Sequence, residues 1–253
     1  MSVVKFDFHN ENFVVVGASS GMGRQIAWEL AEAGAHILAI ARNEVRLNEL
    51  QSDFPNLISI YKADVCTITS DELSTLLDDF VGKYGKINGL VYTAGIAAGT
   101  PLRGYDESLA REIMDTGFWG AMKFVQIATK KKYANHASSY VLFSSTAGYT
   151  GEKGLSIYSA TKASIRIATC SLAHDLAKNG HRINSISPGY VNTRMTQLSV
   201  SDMGEPVEVI GRHLLGIGEP EDVSGMVLFL LSDRAKWITG KDIIVDGGYM
   251  NRA

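Results

Sequence analysis

Cysteine is scarce in this sequence, with only Cys66 and Cys170 among 253 residues. Two thiols cannot form the disulfide framework of a small secreted protein, so we expect free, buried thiols and a cytoplasmic protein. Long apolar runs are missing too, because no segment approaches the roughly twenty uninterrupted apolar residues of a transmembrane helix. Residues 1–12 mix charged and aromatic side chains and lack the apolar core of a signal peptide. The sequence therefore predicts a protein with no membrane partner.

An excess of positive charge is also missing. Lysine and arginine number 24 against 27 aspartates and glutamates, which gives a formal net charge of -3. A nucleic-acid-binding surface normally needs a clear basic excess, so we expect no nucleic-acid partner. The 6 histidines are scattered without the spacing of metal ligands, and we therefore expect no metal site.

What the sequence does contain is a regular alternation of short apolar runs and amphipathic segments. A hydrophobic content of 45% over this length is enough for one α/β domain that spans residues 1–253. The alternation indicates parallel strands with right-handed crossovers, and hence a Rossmann-type, doubly wound parallel sheet of about seven strands with helices on both faces. The strand candidates are Val14–Val16, Ala35–Ile40, Ile58–Tyr61, Gly89–Tyr92, Tyr140–Phe143, Arg182–Ile186 and Asp242–Val245.

A glycine-rich loop follows the first strand candidate. Gly17, Gly21 and Gly23 stand between the apolar run Phe13–Val16 and a helix predicted to begin at about residues 22–24. Glycines permit a tight turn and a close approach to a pyrophosphate, and a helix N-terminus offers free N–H groups with a partial positive charge. Strand, loop and helix in this order favour dinucleotide binding, although a plain glycine-rich turn would give the same pattern.

Tyr158 and Lys162 lie four residues apart on a predicted helix, which places the phenol and the ammonium on one face. A positive charge about 4 Å away can lower the pKa of a phenol toward neutrality. Solvated helix surfaces also carry such pairs, so the spacing alone is weak. Ser145, at the end of an apolar strand, adds a hydroxyl that can donate to a developing alkoxide. The alternative is a strand-end hydroxyl that bonds local backbone.

Together these motifs resemble the short-chain dehydrogenase/reductase family over essentially the whole chain, and in particular its 3-oxoacyl-acyl-carrier-protein-reductase-like members. The loop matches the family's Gly-x-x-x-Gly-x-Gly, and Tyr158 with Lys162 matches its Tyr-x-x-x-Lys. Ser145 falls where the family has its catalytic serine, thirteen residues before the tyrosine. Further matches are Asp64–Val65, Ser187–Thr193, Ile238–Gly240 and Val245–Gly248.

The resemblance implies an NADPH-dependent enzyme that interconverts a carbonyl and a secondary alcohol by hydride transfer. Tyr158 would be the proton donor and acceptor, Ser145 would stabilise the oxygen, and Lys162 would lower the tyrosine pKa and bind the nicotinamide ribose. The cofactor-binding residues that the resemblance implies are Gly17, Ser19, Ser20, Gly21, Met22, Arg42, Asp64, Val65, Ala94, Gly95, Tyr158, Lys162, Pro188, Gly189, Val191 and Thr193.

The cofactor type depends on the residues that follow the second strand candidate. A carboxylate about twenty positions after the glycine loop would hold the ribose 2′-hydroxyl of NAD, but the sequence here reads Ala41-Arg42-Asn43. An arginine offers a planar, charge-assisted donor to a 2′-phosphate. The sequence therefore predicts NADP(H), the alternative for Arg42 being a solvated loop arginine. Arg24 is a second candidate, for which helix capping or solvation is the alternative.

Two positions depart from the family pattern. Its usual Asn-Asn-Ala-Gly is here Tyr92-Thr93-Ala94-Gly95, and its catalytic asparagine falls on Gly117. In the family that asparagine marks a helix bulge whose carbonyl binds a water leading to the lysine, and glycine keeps a carbonyl and tolerates unusual backbone angles. We therefore expect a bulge and a water relay at Gly117. The alternatives are a catalytically weak NADP-binding sensor or scaffold and, last, a nucleotide-sugar epimerase or dehydratase.

The sequence defines the substrate less well than the reaction. The resemblance offers a 3-oxoacyl thioester or another small ketone. We expect substrate contacts from residues 96–103 and 149–155, and from a mobile lid at about 193–220 that carries Met195, Leu198 and Met203. The run Lys130–Lys132 is a candidate docking site for an acyl carrier protein, and the alternative is a set of solvated lysines at a helix end.

The family is usually oligomeric, so the resemblance implies a homotetramer or a homodimer. Apolar side chains cluster on one predicted helix and agree with this: Phe118, Trp119, Met122, Phe124 and Val125. The alternative for these side chains is simple packing against the sheet.

Overall fold

The computed structural model describes residues 4–194, 196 and 211–251. Its strands are β1 (Asn12–Val16), β2 (His36–Ala41), β3 (Ile58–Lys62), β4 (Ile87–Tyr92), β5 (Ala134–Phe143), β6 (Arg182–Pro188) and β7 (Asp242–Val245). They form one sheet in the order β3-β2-β1-β4-β5-β6-β7, and every neighbouring pair is parallel. This arrangement confirms the predicted fold class.

Helices of the described residues connect these strands. A π-helical turn, Asp115–Trp119, joins two of them, and short 3-10 turns span Leu102–Gly104 and Asp233–Ala235. The α-helices are α1 (Gly21–Glu32), α2 (Glu44–Asp53), α3 (Ser70–Tyr84), α4 (Glu107–Met114), α5 (Gly120–Ala128), α6 (Ala147–Thr150), α7 (Ser156–Ala177) and α8 (Pro220–Leu231).

Alternate residues of the central strands enter two hydrophobic clusters, one on each face of the sheet. Phe13 and Val15 of β1 lie in the cluster that contains the apolar residues of α1 and α8. Val14 and Val16 lie in the other cluster, with the apolar residues of α3 and α5. Successive side chains of a strand point to opposite faces, so a strand covered on both sides must be apolar throughout. This requirement explains the continuous apolar run at residues 13–16.

The topology places a crevice at one edge of the sheet. Strand order runs from β1 to β2 and β3 on one side, and from β4 to β7 on the other. A crevice opens at the carboxyl ends of the strands where the order reverses, between β1 and β4. The loops that follow β1, β2, β4, β5 and β6 therefore meet at this edge, and they carry the predicted site residues.

Strand β5 begins at Ala134, earlier than the predicted start at Tyr140. Its first half is polar, and the Ser138 hydroxyl donates to the Ile87 carbonyl at 3.0 Å. The pairing with β4 is irregular between Ile87 and Gly89. Polar contacts therefore hold the first half of β5 in the sheet, and a search for apolar runs in the sequence does not detect this half.

Both cysteines are free thiols, but the prediction that they are buried is wrong because both are exposed. Cys66 lies in the turn after β3, where its Sγ is 3.2 Å from the Thr116 Oγ1. Cys170 lies on α7, close to the Gly240 carbonyl.

Among the helices that the structure describes, none has the length and apolar content needed to cross a membrane. Within the same residues, no three side chains of the metal-ligand types cluster together.

Candidate active site

The glycine loop joins the end of β1 to the start of α1 at the carboxyl edge of the sheet. Gly17 and Gly21 have φ angles of 90° and 53°, which residues with a Cβ rarely adopt. Ser20 is the N-cap of α1, and its side chain makes no capping hydrogen bond. The first N–H groups of a helix lack partners within it, so this helix end suits an anion such as a pyrophosphate.

Thr93 closes the back of this loop, a role that sequence analysis missed. Its hydroxyl donates to the Val16 carbonyl at 2.8 Å. A Cβ at Gly17 or at Gly23 would overlap the Thr93 hydroxyl, so glycine is needed at both positions. A hydroxyl thus stands at the position where the family pattern has an asparagine. The sequence offered one signal for this role, namely a hydroxyl-bearing residue directly after a buried strand.

Arg42 lies directly after β2, beside the loop that follows β3. Its guanidinium Nη1 is 3.8 Å from an Asp64 carboxylate oxygen, and the arginine side chain is 63% exposed. An ion pair that is this exposed contributes little to stability. The guanidinium can therefore exchange Asp64 for a phosphate group at low cost. The Arg24 guanidinium lies 3.7 Å from Asp53 instead.

A cleft of about 260 Å³ runs along this edge. It begins at the α1 N-terminus and reaches the ends of β2, β3 and β4. The predicted cofactor residues that line it are Gly17, Ser19, Ser20, Gly21, Met22, Arg42, Asp64, Val65, Ala94, Gly95 and Thr193. The prediction did not include the lining residues Gly23, Ala41, Asn43, Ala63, Thr93, Thr116 and Arg194. Arg194 brings a second guanidinium to the cleft, and its position directly after Thr193 was the only signal for it.

A smaller cavity of about 90 Å³ continues the cleft. It shares Met22, Thr93, Gly95 and Thr193 with the larger space. The remaining predicted residues line it: Ser145, Tyr158, Lys162, Pro188, Gly189 and Val191. The fold therefore brings every predicted site residue to one continuous channel, while the role of each stays a prediction. A glycine cradle, a helix N-terminus and a cleft that joins them to Ser145, Tyr158 and Lys162 together fit a dinucleotide.

The three predicted catalytic side chains come from two elements. Ser145 follows β5, and its hydroxyl accepts a hydrogen bond from the Ala147 N–H at 3.2 Å. Tyr158 and Lys162 lie on α7, with the ammonium 5.7 Å from the centre of the phenol ring. The ammonium donates to the Phe143 carbonyl at 2.8 Å. The β5 strand and α7 thus fix all three groups in the lining of the smaller cavity.

Burial determines the pKa values of this pair. Burial raises the pKa of the Tyr158 phenol, and a hydrogen-bonding contribution from Ser145 opposes the rise. Burial lowers the pKa of Lys162 to about 8. The expected lowering of the tyrosine pKa is therefore not found in this structure: burial raises the pKa of the Tyr158 phenol, and the ammonium of Lys162 bonds the Phe143 carbonyl. A protonated phenol at neutral pH is a proton donor.

The depressed pKa of Lys162 predicts how stability depends on pH. Between about 8 and its ordinary value of 10.5, the folded lysine is deprotonated while the unfolded lysine still holds a proton. Stability therefore rises with pH across this window, and below it the full burial cost remains. Relative to Lys162→Met, the wild-type free energy of unfolding should rise by roughly 3 kcal/mol across the window in urea titrations. A constant difference between the two proteins would contradict the shift.

The bulge predicted at Gly117 is confirmed. Asp115–Trp119 forms a π-helical turn between α4 and α5. The Tyr92 hydroxyl donates to the Thr116 carbonyl within this turn at 2.6 Å, and both groups are buried. Tyr92 thus holds the turn from the end of β4, a contact that its place in the sequence did not reveal. The water relay through the Gly117 carbonyl stays a prediction.

A pocket of about 70 Å³ opens on the other side of Ser145 and Tyr158. The two loops that were expected to contact substrate contribute Ala97, Glu152 and Leu155. Tyr190 and Gly189 come from the end of β6, and the remaining lining residues are Thr146, Ala147 and Thr196. Most of the predicted lid, residues 195 and 197–210 with Met195, Leu198 and Met203, lies outside the described residues.

The described end of the lid segment is attached to the strand loops. Val191 and Gly218 form a parallel β-bridge, and the Asn192 N–H donates to the Gly218 carbonyl at 2.7 Å. The Tyr190 N–H donates to the His213 imidazole at 3.1 Å. Residues 211–219 are therefore anchored beside the pocket, and the mobility of the rest stays a prediction.

A family model and two related proteins match nearly the whole length of this chain. A family model described as "Enoyl-(Acyl carrier protein) reductase" matches residues 17–250. The chain is 32% identical over 247 residues to a chloroplastic tropinone reductase homolog of Arabidopsis thaliana, covering 96% of this chain and 77% of the relative. It is 31% identical over 240 residues to the 3-oxoacyl-acyl-carrier-protein reductase FabG of Staphylococcus aureus, covering 93% and 96%.

Two solved structures of short-chain dehydrogenases/reductases match the fold of this chain over nearly its whole length. A Brucella melitensis short-chain dehydrogenase/reductase named a glucose/ribitol dehydrogenase matches with a TM-score of 0.89 and 27% identity, over 97% of this chain and 99% of that one. A short-chain type dehydrogenase/reductase of Mycobacterium marinum matches with a TM-score of 0.89 and 27% identity, over 98% of both chains. The chain therefore belongs to the short-chain dehydrogenase/reductase family of oxidoreductases.

Proposed function

We propose that this oxidoreductase uses NADP(H) to interconvert a carbonyl and a secondary alcohol by hydride transfer. The observation that carries the proposal is the continuous channel from the glycine loop to Ser145, Tyr158 and Lys162. A dinucleotide seated with its pyrophosphate at the α1 N-terminus would extend toward these three side chains. The pocket beyond them, lined by Glu152 and Tyr190, is left for the substrate.

The chain's own residues supply binding and proton transfer in this proposal. Gly17, Gly21 and the α1 N-terminus would hold the pyrophosphate, and Lys162 the ribose beside the reacting ring. The chemistry supplied by a bound nicotinamide is the hydride. In reduction, Tyr158 gives its phenolic proton to the carbonyl oxygen while Ser145 donates a hydrogen bond to the same oxygen. In oxidation the proton returns to the phenolate.

The choice of NADP(H) rests on Arg42. The strand β2 ends without a carboxylate to bind a 2′-hydroxyl, and the exposed guanidinium borders the cleft. Asp64 is the nearby carboxylate, but its ion pair with Arg42 neutralises part of its charge. Arginine holds phosphate through paired, charge-assisted hydrogen bonds.

Arg42→Asp should reverse the cofactor preference. A hydrogen bond to a charged group contributes about 1.5–3 kcal/mol, so kcat/KM for NADPH should fall by roughly 10- to 100-fold while that for NADH rises. Steady-state kinetics with both cofactors at one carbonyl substrate measures this. Arg111→Asp is the matched control, because Arg111 lies on α4, is exposed and does not line the cleft. Equal NADPH kinetics in the Arg42 variant and the wild type would contradict the assignment.

The reaction itself is tested by following NADPH oxidation with a panel of carbonyl compounds. The panel contains a 3-oxoacyl thioester, small ketones, diketones and keto sugars, since the substrate proposal includes both thioesters and other small ketones. We expect turnover of at least one class. NADPH binding without any turnover would favour the sensor or scaffold alternative, which the assembled Ser145, Tyr158 and Lys162 otherwise make less suitable.

An acyl carrier protein is a second proposed partner, supported by the FabG relative. The lysine run at residues 130–132 is poorly placed to dock it. Lys132 pairs with Asp78 at 2.7 Å and lies over the Tyr133 ring. The run also precedes β5, at the amino ends of the strands and opposite to the edge that carries Ser145. A carrier that reaches the active site would bind at the other edge.

We also propose a cytoplasmic homo-oligomer, a tetramer or a dimer, built on one domain. Two apolar side chains of α5, Phe124 and Val125, are buried in the core, but Trp119 is 59% exposed. Ile167 of α7 is similarly exposed, at 58%. Sedimentation velocity at low micromolar concentration should give a species larger than one chain, and Trp119→Glu should weaken it if this surface is the contact. A monomer in the wild type would contradict the proposal.

A further inference from the structure

Glu152 places a carboxylate in the pocket that also contains Ser145 and Tyr158. It lies in the loop after α6, and its backbone N–H donates to the Ser159 hydroxyl at 3.3 Å. The neighbouring lining residues Ala97 and Leu155 are apolar. An acidic group in so small a pocket must affect which substrates can enter.

Two hydroxyl donors fix one oxygen of this carboxylate. The Tyr249 hydroxyl donates to Oε1 at 2.8 Å, and the Thr150 hydroxyl donates to the same atom at 2.9 Å. Tyr249 is 1% exposed and stacks on the His213 ring at 4.7 Å between centres. Its pKa is raised by burial first and then by Glu152, which keeps the phenol in its donating form. Two hydrogen bonds therefore orient the carboxylate, and one of them comes from a buried tyrosine.

The second oxygen of Glu152 accepts no hydrogen bond from any residue that the structure describes. Within those residues, no lysine, arginine or histidine lies within ion-pair distance of the Glu152 carboxylate either. The nearby Arg212 acts on the Tyr249 phenol. Because Glu152 lines the pocket, a carboxylate oxygen of this residue that lacks a donor has capacity for a donor on the ligand.

We propose that Glu152 is a specificity-determining residue, and that the pocket takes a small ketone or secondary alcohol that carries a hydrogen-bond donor close to the reacting carbon. The donor is a hydroxyl or a protonated amine. This inference rests on the proposed carbonyl reduction and names its substrate class.

The physical basis is differential binding. A substrate donor completes the bonding of Oε2, whereas an alkyl group in the same place would desolvate a charge without compensation. Sites built to bond a donor discriminate strongly against analogues that lack it. The same carboxylate repels anionic substituents and is unfavourable for an extended acyl chain. The Brucella melitensis neighbour named a glucose/ribitol dehydrogenase agrees with a hydroxylated substrate.

The test compares three ketones of similar size: hydroxyacetone, dimethylaminoacetone and ethyl methyl ketone. With NADPH, kcat/KM for the better of the two donor-bearing ketones should exceed that for ethyl methyl ketone by at least tenfold. In Glu152→Leu this ratio should fall by roughly tenfold or more. Glu152→Gln distinguishes the donors, because the amide oxygen stays on the Tyr249 and Thr150 hydroxyls and the NH₂ group takes the place of Oε2. An NH₂ group can donate to the oxygen of a substrate hydroxyl, but it cannot accept from an ammonium. A preference for the amine should therefore be lost in this variant and a preference for the hydroxyl largely kept.

Glu49→Gln on α2 is the matched control, since this glutamate is exposed and remote from the pocket, and it should leave the ratio unchanged. NADPH binding and thermal unfolding of each variant verify that it is folded. A ratio that is equal in wild type and Glu152→Leu would overturn this inference and leave carbonyl reduction standing. Preference of the wild type for an acetoacetyl thioester over both donor-bearing ketones would also overturn it. Absence of turnover with every ketone would overturn both proposals.

Discussion

Tyr158→Phe is expected to lower kcat for carbonyl reduction by roughly a thousandfold while NADPH binding is kept. The substitution removes only the phenolic hydroxyl, so the ring continues to pack on α7. General acid catalysis contributes about 10²- to 10⁴-fold, and the neighbouring lysine is a poor substitute because its ammonium bonds the Phe143 carbonyl. Since burial raises the pKa of the Tyr158 phenol, the donor form predominates at neutral pH in the wild type.

The measurement is single-substrate kinetics together with NADPH fluorescence titration on the same preparations. Tyr84→Phe serves as the control, because Tyr84 lies at the end of α3, where its hydroxyl is 3.4 Å from Ser59 and far from the cleft. Loss of both binding and turnover in Tyr158→Phe would indicate misfolding, and a melting curve would reveal it. A folded variant with wild-type kcat would refute Tyr158 as the proton donor.

The sheet could be predicted from the sequence because its strands are buried on both faces. In a chain of alternating patterns, a short continuous apolar run such as residues 13–16 is typical of a strand in a parallel sheet. The glycine loop was equally visible, since positive φ at Gly17 and Gly21 leaves a local signature. Features that follow from local backbone geometry or from burial of consecutive residues are therefore recoverable from the sequence.

What could not be predicted depends on contacts between residues that are distant in the sequence. Thr93 supports the glycine loop through Val16, and Tyr92 reaches the π-helical turn, because the sheet order places β4 beside β1. The tyrosine pKa was misjudged for a related reason. Spacing along a helix places Lys162 near Tyr158, but it does not show how deeply both are buried or that Phe143 takes the ammonium.

The family asparagine is expected to be harmful at Gly117 in this chain. A Cβ at Gly117 would lie 2.6 Å from the Thr161 Cγ2, closer than real Cβ atoms approach other atoms. Gly117→Asn should therefore lower the free energy of unfolding by about 1–3 kcal/mol, the usual cost of overpacking a core. Chemical denaturation of the cofactor-free protein measures this change.

Thr161→Ser is the compensating change, because it removes the methyl group and keeps the hydroxyl that donates to the Ile157 carbonyl at 2.8 Å. In the double variant much of the loss should be recovered, with a coupling energy of about 0.5–3 kcal/mol. If the changes in unfolding free energy of the two single variants simply add in the double variant, the Thr161 methyl group is not what opposes the asparagine. Gly120 is constrained in the same way, since a Cβ there would overlap the Tyr92 hydroxyl. The π-helical turn is therefore packed tightly at both glycines, against Thr161 and against Tyr92. This packing explains why the chain has no asparagine at position 117, and it does not require that the catalytic site has been lost.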